Sequence, residues 1–240
     1  MNTDSLRKLW KTVFGDSDAF LDGFFRIAFS PERCNYLEEN GEAICALYWF
    51  DCRFQGGKLA YIYAVATHPE HRGKGLASRL MEETHGHLQR LGYAGTVLKP
   101  AQGLFPFYER LGYATSGYIR RFSAKADTVP AAIRELSATE YGRLRCGYLP
   151  DNAVIQDGIT LEFLHTFAKF YASDDALLCV GREEPVIFEY LGNPHSATGI
   201  LASLSIDSAE IPTIGSEIPF TMYHPLNCTK IPGYLGISLE

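Results

Sequence analysis

The stretch Ala60–Ala77, AYIYAVATHPEHRGKGLA, constrains what this chain can fold into more than any other. Tyr61, Ile62, Tyr63, Ala64 and Val65 are mostly β-branched or aromatic and carry no charge, which suits a strand covered on both faces. The chain then turns through His68-Pro69-Glu70-His71 into Arg72-Gly73-Lys74-Gly75. Leu76, Leu80, Met81, Thr84, Leu88 and Leu91 follow at helical spacing as far as Gly92, a C-terminal stop. A glycine pair therefore sits where a strand hands over to a helix. First-turn N–H groups there have no intrahelical acceptor, and the helix dipole favours negative charge. Gly73 and Gly75 lack a Cβ, so a phosphate can approach the backbone closely. Arg72 and Lys74 add positive charge, which is poorly placed at a helix start unless an anion joins it. The stretch reads as a cradle for a diphosphate.

A second motif narrows this reading, since nucleotide-binding loops share the first. After an expected strand, Gly95–Lys99, comes FPFYERLGYATSGYIRRF, with Phe107-Tyr108-Glu109-Arg110-Leu111-Gly112-Tyr113 inside it. Together the two pieces resemble the GNAT superfamily of N-acetyltransferases. That family has Arg/Gln-x-x-Gly-x-Gly/Ala at the start of its central helix, and later a short helix ending in Phe-Tyr-x-x-x-Gly-Phe/Tyr. The resemblance covers roughly residues 1–125. Glu70 departs from it, standing where the family has Arg or Gln, and Arg72 and Lys74 make up the charge.

The resemblance implies an α/β (α+β) fold, a GNAT-like mixed sheet with helices on both faces. The sheet would be antiparallel at first and become parallel at the central strand. Two of its strands would splay apart at a bulge, with the pantetheine arm of acetyl-CoA in the gap. The backbone of Val65, Ala66 and Thr67 would then pair with the pantetheine amides, while Arg72, Gly73, Lys74, Gly75, Leu76 and Ala77 hold the pyrophosphate. Tyr108 falls at the tyrosine whose hydroxyl serves as general acid beside the thioester sulfur, a task that a phenol of pKa ~10 suits. Its other reading is a core aromatic beside Phe105, Phe107 and Leu111. Where many relatives carry an Asn that bonds pantetheine, this chain has Ala101, with Gln102 next to it.

No general base stands out. Lys58, Leu59 and Ala60 offer no carboxylate early on the central strand, which leaves Tyr63, His68, Asp51 and Glu38 as candidates. His68 and His71 flank the cradle, where either can simply cap the turn. His85-Gly86-His87 looks like a metal pair, but positions i and i+2 on a helix face different ways, so solvated histidines are expected and no metal. Six cysteines show no CxxC spacing and lie mostly in apolar runs, as small core hydrophobes do.

The formal net charge of -6 argues against a nucleic-acid partner, because that task needs a basic face. No run approaches the ~20 apolar residues of a membrane span, and a cytoplasmic location is expected. Monomer and homodimer both remain open.

Along the chain, Leu6, Leu9, Trp10, Val13 and Phe14 trace an amphipathic helix stopped at Gly15. Asp16-Ser17-Asp18 offers caps for a second helix with Leu21, Phe24, Phe25 and Ala28 on one face. In the resembled family this connection borders the acceptor pocket, which would bring Asp16 and Asp18 near an incoming amine. Strands are expected at Asn35–Glu38 and Ala43–Phe50, joined by an Asn-Gly turn.

Ser123–Pro130 reads as a linker, giving one domain over 1–127 and a second over 128–240. The second opens on a capping box, Ser137-Ala138-Thr139-Glu140. A helix with Leu161, Leu164, Phe167, Ala168 and Tyr171 inward comes next, then a hairpin of Ala176–Val180 with Val186–Leu191. A short helix over Ser196–Leu204 and strands near Phe220–Tyr223 and Tyr234–Ser238 finish the chain. This half reads as a smaller, incomplete GNAT-like α+β domain, or else an unrelated cap.

The expected function is acetyl transfer from acetyl-CoA to a primary amine of a small molecule or peptide, directly within a ternary complex. The rivals are a non-catalytic CoA-binding sensory or structural module and a tRNA-dependent aminoacyl transferase.

Overall fold

The computed structural model describes residues 2–239. The first amphipathic stripe forms helix α1 (Thr3–Phe14), which buries Leu6, Leu9 and Trp10. The Asn2 side chain caps it by accepting the Ser5 N–H, and Gly15 ends it at φ 76°. Helix α2 (Asp18–Gly23) starts from Ser17, whose hydroxyl accepts the Phe20 N–H, and runs on as a π turn over Phe24–Ala28. The cap is thus the serine. Asp16 instead accepts the Trp10 indole N–H at 2.7 Å, and Asp18 pairs with Lys11 at 2.7 Å.

Strands β1 (Cys34–Glu39) and β2 (Glu42–Phe54) form a hairpin. Its turn has positive φ at both Asn40 (53°) and Gly41 (80°), the geometry that matches strand twist. β2 pairs antiparallel with β3 (Gly57–Thr67), and the register slips between Ala46 and Tyr48. Opposite the slip, Ala64 takes φ 48°, a bulge that turns the end of β3 away from its earlier course. Helix α3 (Leu76–Arg90) follows, then β4 (Gly95–Leu98), helix α4 (Phe105–Arg110) and β5 (Ala114–Lys125). β4 runs parallel to β3 but pairs with it only from Leu59↔Gly95 to Tyr61↔Val97. Beyond Tyr61 no pair joins the two, β4 ending at Leu98 while β3 runs on to Thr67, so the edge of β3 is left unpaired by β4 where the splay was expected.

The later elements are β6 (Arg134–Leu136), α5 (Ala138–Arg145), α6 (Ile159–Phe167), β7 (Ala168–Ala172), β8 (Ala176–Gly181) and β9 (Ile187–Gly192). After these come α7 (Ala197–Ser203), β10 (Ser208–Ile214) and β11 (Ile218–Pro225). Strands in hydrogen-bonded order are β1-β2-β3-β4-β11-β5-β10 in a seven-stranded mixed sheet and β6-β7-β8-β9 in a four-stranded one. The chain is therefore mixed α/β, with the expected change from antiparallel to parallel at β3. Some later elements differ from expectation. α6 ends at Phe167, so Ala168 and Tyr171 belong to β7, and β6 and β10 are additional strands.

By compactness the chain divides into a first unit, Met1–Thr115 with Met222–Ile231, and a second, Ser116–Thr221 with Pro232–Glu240. This is not the expected division at 127/128. β5 continues to Lys125 and is paired there with β10, so Ser116–Lys125 belong to the second unit. Met222–Pro225 pair instead with Gly95–Leu98 and return to the first unit. The core of the first unit lies between α3 and the sheet, around Leu47, Trp49, Ile62, Leu80, Met81 and Leu88.

The second unit is held by charge as well as apolar packing. Arg145 and Glu189 are both buried and paired, Nε to Oε2 at 2.7 Å and Nη2 to Oε1 at 2.8 Å. The hydroxyls of Tyr141 and Tyr234 donate to the same carboxylate at 2.7 and 3.0 Å. Arg145 Nη2 also donates to the Leu235 carbonyl at 2.9 Å, and Gln156 Nε2 to that of Ile237 at 2.8 Å. The strand expected over Tyr234–Ser238 is thus absent: the segment is largely buried without a ladder, side chains take up the carbonyls of Leu235 and Ile237, and the Val154 N–H donates to that of Tyr234 at 2.8 Å.

Candidate active site

The helix mouth at Gly75 is built as the sequence requires. Gly73 and Gly75 both adopt φ near +75° (75° and 73°). A Cβ added at either would meet nothing within 4 Å, so the space beside the backbone is open. No side chain caps α3. The first helical bond runs from the Arg79 N–H to Gly75 O. The N–H groups of Gly73 through Ser78 find no acceptor among the described residues. A run of free donors at a positive helix end fits a diphosphate.

One cleft of about 620 Å³ joins this mouth to the splay. It is lined by Val65 and Thr67 from β3, by His71, Arg72, Gly73, Gly75, Leu76, Ala77 and Ser78 at the cradle, and by Leu104, Phe107 and Tyr108 around α4. Val13 and Phe14 close it from α1. Eight of the ten residues singled out from sequence therefore meet on one surface. The other two do not line it: Ala66 is buried and pairs with Ala46 of β2, and Lys74 is exposed. Arg72 already reaches into the region, its Nε donating to Thr67 O at 3.2 Å. Ala101 and Gln102 are exposed and do not line the cleft.

By its position Tyr108 fits either reading, core aromatic or cleft residue. It is buried within the core cluster with Phe107 and Leu111 against it, and it also lines the cleft.

None of the four candidate bases lines the cleft. Asp51 accepts the Tyr93 hydroxyl at 2.5 Å and sits 3.2 Å from Lys58 Nζ, opposite Ala60 and away from the splay. Tyr63 lies in an aromatic cluster with Trp10, Phe24 and Phe50. Glu38 is exposed on β1, and His68 faces a smaller cavity with Glu39, Glu42 and Glu70.

His85 is where sequence reasoning went astray. It is buried rather than solvated. Its Nε2 meets the Tyr113 hydroxyl at 2.9 Å, and its ring stacks on His224 at 4.2 Å and 9°. Burial, with His224 beside it, pulls its pKa down to about 3, and burial also lowers that of His224. The signal was present: His85 follows Met81 by four residues and precedes Leu88 by three, so it shares their buried face.

This gives a stability prediction. A histidine with a depressed folded pKa favours folding while neutral, so its contribution is complete above ~6.5 and is lost as pH falls toward 3. Urea unfolding followed by tryptophan emission of the first unit, which holds Trp10 and Trp49, should give an unfolding free energy that drops steadily from pH 7 to pH 4, by about 1.4 kcal/mol per pH unit at most. In His85→Gln the slope should flatten. An identical slope in the variant would remove His85 as its source.

A sheet that opens beside a glycine-lined helix mouth is similar to the GNAT fold. Residues 2–116 match the family model described as "Acetyltransferase (GNAT) domain", so this part of the chain is a GNAT acetyltransferase domain. No curated protein matches the sequence. Among solved structures, a GCN5-related N-acetyltransferase from Kribbella flavida is similar at TM-score 0.69 and 16% identity, covering 94% of this chain and 69% of that one. Another from Anabaena variabilis gives 0.67 and 17%, over 94% and 71%. A putative acetyltransferase from Pyrococcus horikoshii gives 0.65 and 11%, over 98% and 90%. At these identities the likeness speaks for the fold. No helix among the described residues is long and apolar enough to cross a membrane.

Proposed function

We propose that this chain is an acyl-CoA-dependent N-acyltransferase that moves an acetyl group to a primary amine of a small molecule or peptide, directly and within a ternary complex. The observation that carries the proposal is the single cleft uniting the cradle, the open edge of β3 and Tyr108. When bound, the acyl thioester supplies an electrophilic carbonyl and a thiolate leaving group. The N–H groups of Gly73 through Ser78 hold the diphosphate, with Arg72 turning from Thr67 O to join them. The backbone of Val65 to Thr67, left by β4, orients the pantetheine amides as a missing strand would. Tyr108 donates its phenol proton to the departing thiolate. Direct attack depends mainly on placement, so few catalytic groups are needed. The six free cysteines suit a reduced cytoplasm. We also propose that the second unit is a degenerate copy of the first. Its order α5-α6-β7-β8-β9-α7-β10 parallels α1-α2-β1-β2-β3-α3-β4.

Thiol release from acetyl-CoA in the presence of an amine panel tests the reading. Tyr108→Phe should lower kcat by roughly 10²-fold or more with KM for acetyl-CoA little changed. Unchanged turnover would take Tyr108 out of the chemistry. A second reading, a CoA-binding module without catalysis, is favoured by one observation: only His71, Arg72 and Tyr108 among the cleft residues carry titratable groups. Tight CoA binding without thiol release for any amine would decide for it.

A further inference from the structure

Tyr113 closes the second sequence motif, and nothing in the proposed chemistry uses it. Yet it is buried, and it contacts β4, α3 and the Tyr108 ring of α4. Its hydroxyl lies 2.6 Å from Thr96 Oγ1 on β4 and 2.9 Å from His85 Nε2 on α3. β4 is the strand that leaves β3 to open the cleft, and α3 is the helix whose mouth is the cradle.

α4, which carries Tyr108, spans only six residues, too few to hold a helix by its own hydrogen bonds. What holds it is the reversal behind it. The N–H groups of Leu111 and Tyr113 both donate to Tyr108 O, at 2.9 and 3.1 Å. Gly112 makes the turn at φ 83°, and the Gly112 N–H donates to Glu109 O at 3.0 Å. The chain folds back so that the rings of Tyr108 and Tyr113 meet at 5.7 Å and 72°.

We propose that Tyr113 is a positioning residue for Tyr108, its hydroxyl fastening α4 to the diverging strand and to the cradle helix at once. The proposal rests on reading the cleft as an acyl-thioester site, but the positioning itself is a property of the free protein. A phenol has one proton to give, so with Thr96 and a neutral His85 as neighbours it donates one bond and accepts the other. All three groups are then satisfied in a place where an unpaired one is costly. His224, stacked on His85, holds the imidazole in that plane. The separation between cradle and Tyr108 is therefore fixed by one oxygen atom with two anchors.

The test is Tyr113→Phe, which keeps the ring and its packing. In spectra of the free protein labelled on tyrosine rings, the Tyr108 signals, assigned through Tyr108→Phe, should move and broaden, while those of Tyr190 in the second unit stay put. CoA affinity should stay within about threefold, and kcat for thiol release should fall by about tenfold or more at constant KM, the pattern of a loss confined to the transition state. Adding Thr96→Val removes one of the two groups left unpaired, the other being His85 Nε2, and should recover part of the melting temperature without recovering kcat. Recovery of both together would show a purely structural role and overturn the proposal. Unmoved Tyr108 signals would overturn it whatever the cleft binds. A wild-type protein that does not bind CoA would instead defeat the functional reading, with the spectral criterion still deciding the positioning. Should Tyr113→Phe not accumulate as folded protein, Thr96→Val alone removes one anchor and gives the same two readings.

Discussion

Replacing Glu189 with alanine is expected to destabilise the second unit by about 3–5 kcal/mol, the cost of breaking a buried ion pair from one side. The carboxylate receives four hydrogen bonds: two from Arg145 and one each from Tyr141 and Tyr234. Without it a guanidinium that is only 1% exposed keeps its charge and loses its counter-ion. Two phenols are orphaned as well. The loss reaches the chain's last described segment, because the same guanidinium holds Leu235 O.

Both tryptophans lie in the first unit, so the effect belongs in the far-UV circular dichroism and tyrosine signals, with tryptophan emission as the internal reference. Replacing both partners, as Arg145→Met with Glu189→Leu, should recover part of the loss, since no charge is left unpaired although the Tyr141 and Tyr234 hydroxyls and Leu235 O still lack their partners. A Glu189→Ala unfolding free energy within about 1 kcal/mol of wild type would mean that water reaches Arg145.

What could be read in the sequence depends on which interactions are local. α1 was legible because Leu6, Leu9 and Trp10 recur at helical spacing and Gly15 ends the pattern. The open helix mouth was legible because a glycine pair at a strand-to-helix junction allows positive φ with no side chain in the way, and the Asn40-Gly41 turn because its φ values favour those residues.

What escaped was set by partners distant in sequence. Nothing in Ile218–Pro225 says that its second half will pair with Gly95–Leu98. Tyr234–Ser238 has the composition of a strand, but Arg145 and Gln156 satisfy the carbonyls of Leu235 and Ile237 before any ladder can. Ala168 and Tyr171 continue the helical spacing of α6. Pairing with β8 outweighs that spacing, and the backbone becomes extended at Ala168.

The site divides in the same way. Val65, Thr67, Arg72, Gly73, Gly75, Leu76, Ala77 and Tyr108 could be picked out as cleft-lining because the motifs carry them. Phe14 and Leu104 could not, for an apolar residue on a helix stripe looks the same whether it meets core or cleft. Both line the cleft while remaining 44% exposed.

The double change Gly73→Ala with Gly75→Ala is expected to weaken CoA binding by at least about 100-fold, close to 2.7 kcal/mol. Each methyl group would stand where a phosphate oxygen must approach the backbone. Charge-assisted bonds from such N–H groups contribute about 1.5–3 kcal/mol apiece, so losing two of them accounts for the fall. The protein itself has room, since neither Cβ would meet an atom within 4 Å.

Both residues sit at positive φ, where alanine costs about 1–2 kcal/mol, so some loss of melting temperature accompanies the change. Gly92→Ala separates the two effects. It carries the same strain (φ 78°) with equally open space, but at the far end of α3, about 22 Å along the helix axis. That variant should melt earlier and still bind CoA as wild type does. Lys74→Ala, at an exposed position outside the cleft, should weaken binding only severalfold at low salt and hardly at all at 0.5 M, where screening shortens its reach to a few ångströms. Calorimetric titration of the three variants reads all of this directly. Micromolar CoA binding retained by the double variant would show that the diphosphate is held elsewhere, and the acyl donor would then need another route to Tyr108.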